Sequence, residues 1–234
     1  SSGDGAKTLY LWAVDNEGFI SVAKTVSLVL DTLPPVANLS FSLSAIRGGA
    51  TQSITLSASD AGSGLSTLDL YFSANNGSTY SLLSSLAITD TSYSWSVPVT
   101  DTVQGKLKLV ATDLTGLTTT VYSSIFAIDS IAPTTPVIAR SSSAISNSTT
   151  VSIGVTCSAD YAKILFSQTS TTPSVSDSAW ETCASTKNFT ITTGDGLKTI
   201  YAFTKDAVGN ISASSNVTMT LDSTPPVAPV ANLA

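Results

Sequence analysis

One segment occurs three times in this chain and restricts its architecture more than any other feature. It reads KTLYLWAVD at 7–15 and closes on LVLDTLPP at 28–35. It returns as KLKLVATD at 106–113 with FAIDSIAP at 126–133, and as KTIYAFTKD at 198–206 with MTLDSTPP at 219–226. In every copy the first Asp stands 16 residues before the second: Asp15 and Asp31, Asp113 and Asp129, Asp206 and Asp222. The step between copies is 98 residues, then 93. A period of that size is a small domain rather than a solenoid turn, so the chain is a tandem array.

The repeat sets the boundaries. Residues 35–133 and 134–226 are two complete modules, residues 1–34 are the closing hairpin of a truncated one, and 227–234 begin another, as in an excised fragment. In the first module, apolar alternation and turn signals predict strands over 36–43, 52–59, 67–73, 80–87, 92–97, 106–112 and 117–128. In the second they predict 150–157, 161–168, 188–193, 199–205 and 216–221. Asp15, followed three residues later by Gly18, separates two apolar runs with hairpin chemistry, since Asp bonds its own backbone and Gly accepts positive φ. A lone hairpin is marginal in water, so this one is expected to pack on the next module or pair with another chain. No segment shows helical periodicity. The fold class is all-β, with about seven strands per β-sandwich module and short proline linkers between modules.

Composition narrows function. A net charge of −6 argues against nucleic acid, which needs Lys and Arg to replace counterions. No apolar run is long enough to span a membrane as a helix. The chain has no histidine, its cysteines therefore lack a His partner, and no phosphate loop or hydrolase motif occurs. The expectation is that the chain is not an enzyme.

Three sets of residues carry a likeness. They are the GDG-x-KT-[LI]-Y-x-[WF] run, KDAVGN at 205–210 and LDSTPP at 221–226. Together with SASDAGSG at 57–64 and YSWSVP at 93–98, they resemble bacterial immunoglobulin-like (Big-type) tandem repeats of large exported surface and adhesin proteins. The resemblance covers essentially the whole chain. It implies immunoglobulin-like sandwiches, an extracellular or bacterial-surface location, and a structural or adhesive stalk role. Partners would be neighbouring modules of the same chain and a host-cell or prey surface glycan or protein. Other readings are a carbohydrate- or protein-binding module, or an accessory region of a secreted hydrolase, because fold does not imply function.

An exported location implies a disulfide between Cys157 and Cys183, the alternative being two independent buried thiols. The sandwich topology places the loop after the second strand and the loop between the last two strands at the end where the previous module enters. Asp31 should then meet Asp60 and Asp113, and Asp129 should meet Asp160 and Asp206. Three carboxylates at a junction suit Ca²⁺, as in related repeat proteins and cadherins. The alternative is that each Asp makes a local turn bond while Pro34, Pro35 and Pro133 stiffen the linkers. Counting back in twos from the Asp at the end of the repeated strand places Tyr201, Phe203, Tyr10 and Trp12 on the outer face, with Tyr71 and Leu165 beside them. Such a stripe binds sugar rings or a partner, or else its members cover one another. Trp95 and Trp180 are assigned to the core.

Overall fold

The turn at Asp15 forms as its chemistry dictates: Asp15 Oδ1 accepts from the amides of Glu17 (3.1 Å) and Phe19 (2.8 Å), and Gly18 takes φ 86°. It joins β1 (Gly5–Leu11) to β2 (Lys24–Leu30) in a two-stranded antiparallel sheet, with Gly5 opposite Leu30. The expected packing of this hairpin on the next module is not seen. All seven residues of β2 are exposed, and so are Leu9, Tyr10, Leu11 and Trp12. The repeated strand pair is apolar because, in a complete module, a second sheet covers it. Among the described residues, the hairpin has no such facing sheet.

The computed structural model describes residues 3–141 and 143–229, and it divides into two compact units, Ser1–Asp129 and Ser130–Ala234. In the first unit the strands after the hairpin are β3 (Val36–Ser40), β4 (Ala45–Arg47), β5 (Thr51–Ser59), β6 (Leu65–Ser73), β7 (Ser81–Leu86), β8 (Ser92–Ser96), β9 (Thr102–Asp113), β10 (Thr118–Tyr122) and β11 (Phe126–Asp129). One sheet is β3-β5-β8; the other is β4-β11-β9-β6-β7, with β10 also on β9. The first strand of the module therefore changes sheets: β3 runs antiparallel to β5, and β4 then runs parallel to β11. This is an immunoglobulin-like sandwich.

Its core is read directly from the alternation. Leu68 and Leu70 face Leu107, Leu109 and Ala111, all fully buried, and Ile54, Leu56 and Trp95 close over them from the other sheet. Burying each leucine contributes about 2 kcal/mol relative to leaving it in water. Phe126 completes an aromatic group with Phe41, Phe72 and Trp95. It lies so close over β9 that a Cβ on Gly105 would stand 2.6 Å from its ring. The single strand expected over 117–128 is split. Ser123 exchanges two bonds with Leu107, its amide donating to the carbonyl and its hydroxyl accepting from the amide, and the pairing restarts at Phe126.

The second unit repeats the plan with β12 (Val137–Arg140), β13 (Ile145–Ser146), β14 (Thr150–Thr156), β15 (Lys163–Ser167), β16 (Thr186–Thr190), β17 (Gly196–Lys205) and β18 (Ser215–Leu221). The sheets are β12-β14-β16 and β13-β18-β17-β15, and the core holds Val151, Ile153, Ile164, Ile200, Ala202, Met219 and Leu221. Where the first unit has β7, the second has an irregular segment after β15. That segment returns to bridge Ile164 to Glu181 and is tied to the end of β14 by a Cys157–Cys183 disulfide, with Cα atoms 5.9 Å apart.

The same segment corrects two expectations. Phe203 and Leu165 are 1% and 3% exposed, not outward-facing, and they stand opposite each other on β17 and β15. On their side of the sheet, Lys205 donates to the Val175 carbonyl (2.7 Å) and lies 4.7 Å from the centre of the Trp180 ring. The segment thus lies over the face that periodicity alone reads as the outer one, and desolvation pushes the Lys205 pKa down. Trp180 is not core. It is half-buried in this cover, its indole N–H donating to the Ser174 carbonyl (2.8 Å).

Candidate metal centre

Asp31, Asp60 and Asp113 converge as the topology required. One carboxylate oxygen from each lies within 4.8 Å of the others, the one such group of three among the described residues. Each Asp is placed by a different local device. Asp31 follows β2 and is 8% exposed; its Oδ1 accepts from the Leu33 amide (3.2 Å) and its Oδ2 from the Ser63 amide (2.7 Å). Gly62 makes room for it, since a Cβ there would stand 2.4 Å from the Asp31 carboxyl carbon. Asp60 follows β5, and its Oδ1 accepts from the amides of Gly62 (3.1 Å) and Gly64 (2.7 Å). Asp113 ends β9 and is 1% exposed; its Oδ1 accepts from the Thr115 amide, the Thr115 hydroxyl and the Leu117 amide at 2.8–2.9 Å.

Two oxygens of this group are left over. Asp113 Oδ2 and Ser63 Oγ are buried without a hydrogen-bond partner. The Ser63 hydroxyl stands close enough to Asp31 to be the largest influence lowering its pKa below the ordinary 3.8, without the geometry of a full bond; the Ser63 amide is the second influence. A buried carboxylate oxygen with no donor is costly, and three carboxylates at this range repel. A bound cation would remove both penalties. The donor set is all oxygen, which suits a hard divalent ion. A cleft of about 410 Å³ opens beside it, lined in part by Asp4, Leu33 and Pro34.

The second unit shows the contrast. Asp206 is the counterpart of Asp113, yet its Oδ1 accepts from the amides of Val208, Gly209 and Asn210, and its Oδ2 accepts from the Asn210 side-chain amide (2.8 Å). The residue four positions after Asp is Asn210 there and Leu117 in the first unit, so one substitution decides whether an oxygen stays free. Asp160 accepts from the Thr134 amide (2.9 Å) and hydroxyl (3.0 Å). Its pKa is lowered, by the Ser158 side chain first and the Thr134 amide next. Asp129 ends β11, where its carbonyl accepts from the Gly48 amide (2.9 Å).

The aromatic candidates fall apart as a set. Tyr10 and Trp12 are exposed and stacked with ring centres 5.8 Å apart, Tyr201 is half-buried, and Phe203 and Leu165 are core. Sequence reasoning missed Asp195, which accepts from the Ser223 amide and hydroxyl (both 2.7 Å) and the Thr224 hydroxyl. Those bonds, with Thr224 the largest influence, hold it at about 2. Asp4 bonds Thr32 in the same way (2.8 Å). The signal was the Gly-Asp-Gly triplet shared by 3–5 and 194–196: it pins the start of the linker to the base of the hairpin.

No protein-family model and no curated protein sequence matches the chain. Among solved structures it is similar to fibronectin(III)-like modules of Clostridium thermocellum CbhA, with 16% identity, TM-score 0.42, and 80% of this chain and 94% of that one covered. It is also similar to a 1.5-MDa bacterial ice-binding adhesin (15% identity, TM-score 0.39, 82% and 65% covered). A third is chicken CNTN1 FN1-FN3 domains (11% identity, TM-score 0.47, 92% and 75% covered). The likeness is one of fold. The class the strands define is a tandem array of immunoglobulin-like β-sandwiches.

Proposed function

We propose that this chain is a non-catalytic structural and adhesive repeat segment of a large exported bacterial surface or fibre protein. In this reading Asp31, Asp60 and Asp113 hold a calcium ion where the hairpin enters the first sandwich. The observation that carries it is the buried, unpartnered Asp113 Oδ2 within a group of three carboxylates. Asp31 comes from the end of one module and Asp60 and Asp113 from the next, so a shared ion ties the two together. A bound ion would supply positive charge; the chain supplies the carboxylate oxygens, the preformed loops at Gly62 and Gly64 and a proline linker at Pro34 and Pro35. Calcium suits this better than magnesium because it accepts more oxygens in less regular geometry, including hydroxyls such as Ser63 Oγ. The disulfide supports an oxidising, exported location.

Amide hydrogen exchange tests this reading. The amides of Leu33 and Ser63 donate to Asp31 and that of Leu117 to Asp113, and their exchange is expected to slow at least tenfold on adding calcium to chelator-treated protein. Unchanged rates at all three amides would overturn the reading.

A further inference from the structure

A second cluster lies on the outer face of the first sandwich. Lys108 on β9 stands opposite Tyr71 on β6 and opposite Tyr122 on β10. Its ammonium lies 4.2 Å from the centre of the Tyr71 ring and 4.4 Å from that of Tyr80, while Lys106 lies 5.2 Å from that of Tyr122. Tyr80 and Tyr122 are themselves 6.3 Å apart, and Tyr122 is 53% exposed. The turn that carries Tyr80 is fixed: Gly77 holds φ 89° beneath the Tyr80 hydroxyl, and Asn75 bonds Thr79.

The charge pattern is unusual for this chain. Between residues 35 and 129 the basic residues are Arg47, Lys106 and Lys108, against six aspartates. Two of the three thus share one patch. Neither has a carboxylate within ion-pair distance among the described residues, and Asp69, the acid two positions before Tyr71, is bonded to the Ser85 hydroxyl at 2.6 Å. Tyrosine rings hold the ammoniums at the surface by cation–π attraction without neutralising them. An exposed ring beside two cations that make no ion pair among the described residues matches a ligand that offers pyranose faces together with regularly spaced anions.

We infer that this face binds an acidic polysaccharide, a sugar ring against the exposed Tyr122 and its carboxylate or sulfate groups on Lys106 and on Lys108, the latter held in place by Tyr71 and Tyr80. The site is separate from the three aspartates, so it is tested with chelator present throughout. The probes are polygalacturonate, heparin, neutral dextran and poly-glutamate, titrated against the full chain. Saturable binding of polygalacturonate or heparin is expected, weakening as salt rises, with at least tenfold less for dextran and for poly-glutamate. Which of the two acidic polymers binds separates a carboxylate from a sulfate ligand. The Lys106→Gln, Lys108→Gln double variant should lose at least tenfold in affinity, and the Lys106→Arg, Lys108→Arg variant should retain it. Tyr122→Ala, at an exposed edge, should lose several-fold while keeping the thermal transition of the wild-type chain. Absence of binding to both acidic polymers overturns the inference. So does equal binding of dextran or poly-glutamate, or full affinity in the Gln double variant.

Discussion

Removing the Cys157–Cys183 disulfide, by reductant or by the Cys157→Ser, Cys183→Ser double variant, should destabilise the second unit alone. The bond closes a loop across a sequence separation of 26. The chain-entropy treatment gives a loop of that size about 12 cal/mol/K, or about 3.5 kcal/mol at 25 °C. For a domain near 100 residues, 1 kcal/mol moves the midpoint by roughly 4 °C, so the second unit should melt about 15 °C lower. The first unit contains no cysteine and serves as an internal reference. Differential scanning calorimetry of the whole chain, oxidised and reduced, reads both transitions in one sample. Hydrogen exchange adds a local readout: the segment that the disulfide ties down carries Val175 and Trp180 against Lys205, so the amide of Phe203 should lose protection. A shift below about 5 °C, or equal shifts in both transitions, would show that the disulfide does not stabilise the irregular segment that stands where the first unit has β7.

Other consequences follow from the packing and the carboxylates. Gly105→Ala should cost the first unit about 1–3 kcal/mol in urea unfolding, because Phe126 leaves no room for a Cβ. Leu109→Ala, at a fully buried position, should cost about 2–5 kcal/mol in the same assay. Asp195 is depressed from 3.8 to about 2, so its linker bonds contribute fully above the ordinary carboxylate value and are lost as pH falls through about 2. The Ser223 amide NMR shift should therefore titrate with a midpoint near 2 rather than near 3.8, and Asp195→Asn should abolish that titration.

Much of this was legible in the sequence because a repeat supplies its own alignment. The 16-residue interval placed the last strand pair of every module, and alternation along residues 106–113 put Leu107, Leu109 and Ala111 in the core, where they are. The convergence of Asp31, Asp60 and Asp113 followed from topology alone. What failed did so for physical reasons. Period-two alternation says which residues share a face but not what lies on it, so Phe203 and Leu165 read as outer-face residues although a disulfide-tied segment lies on their side. That segment, rich in Ser, Thr and Pro, carries no periodic signal to reveal it. The strand over 117–128 broke where Ser123 competes for the backbone of Leu107, a bond no propensity encodes. Equivalent aspartates also proved unequal, because the partner of the second oxygen is set by one side chain, Leu117 or Asn210.

Calorimetric titration of calcium into chelator-treated protein, comparing wild type with Asp113→Asn and Asp206→Asn, separates an ion-binding group of carboxylates from a set of turn residues. Asn at either position keeps the Oδ1 acceptor for its loop amides and changes the second oxygen. One saturable calcium site per chain is expected, lost or weakened at least tenfold in Asp113→Asn and unaffected in Asp206→Asn. Absence of binding in the wild type, or a site that survives Asp113→Asn and disappears in Asp206→Asn, would contradict it.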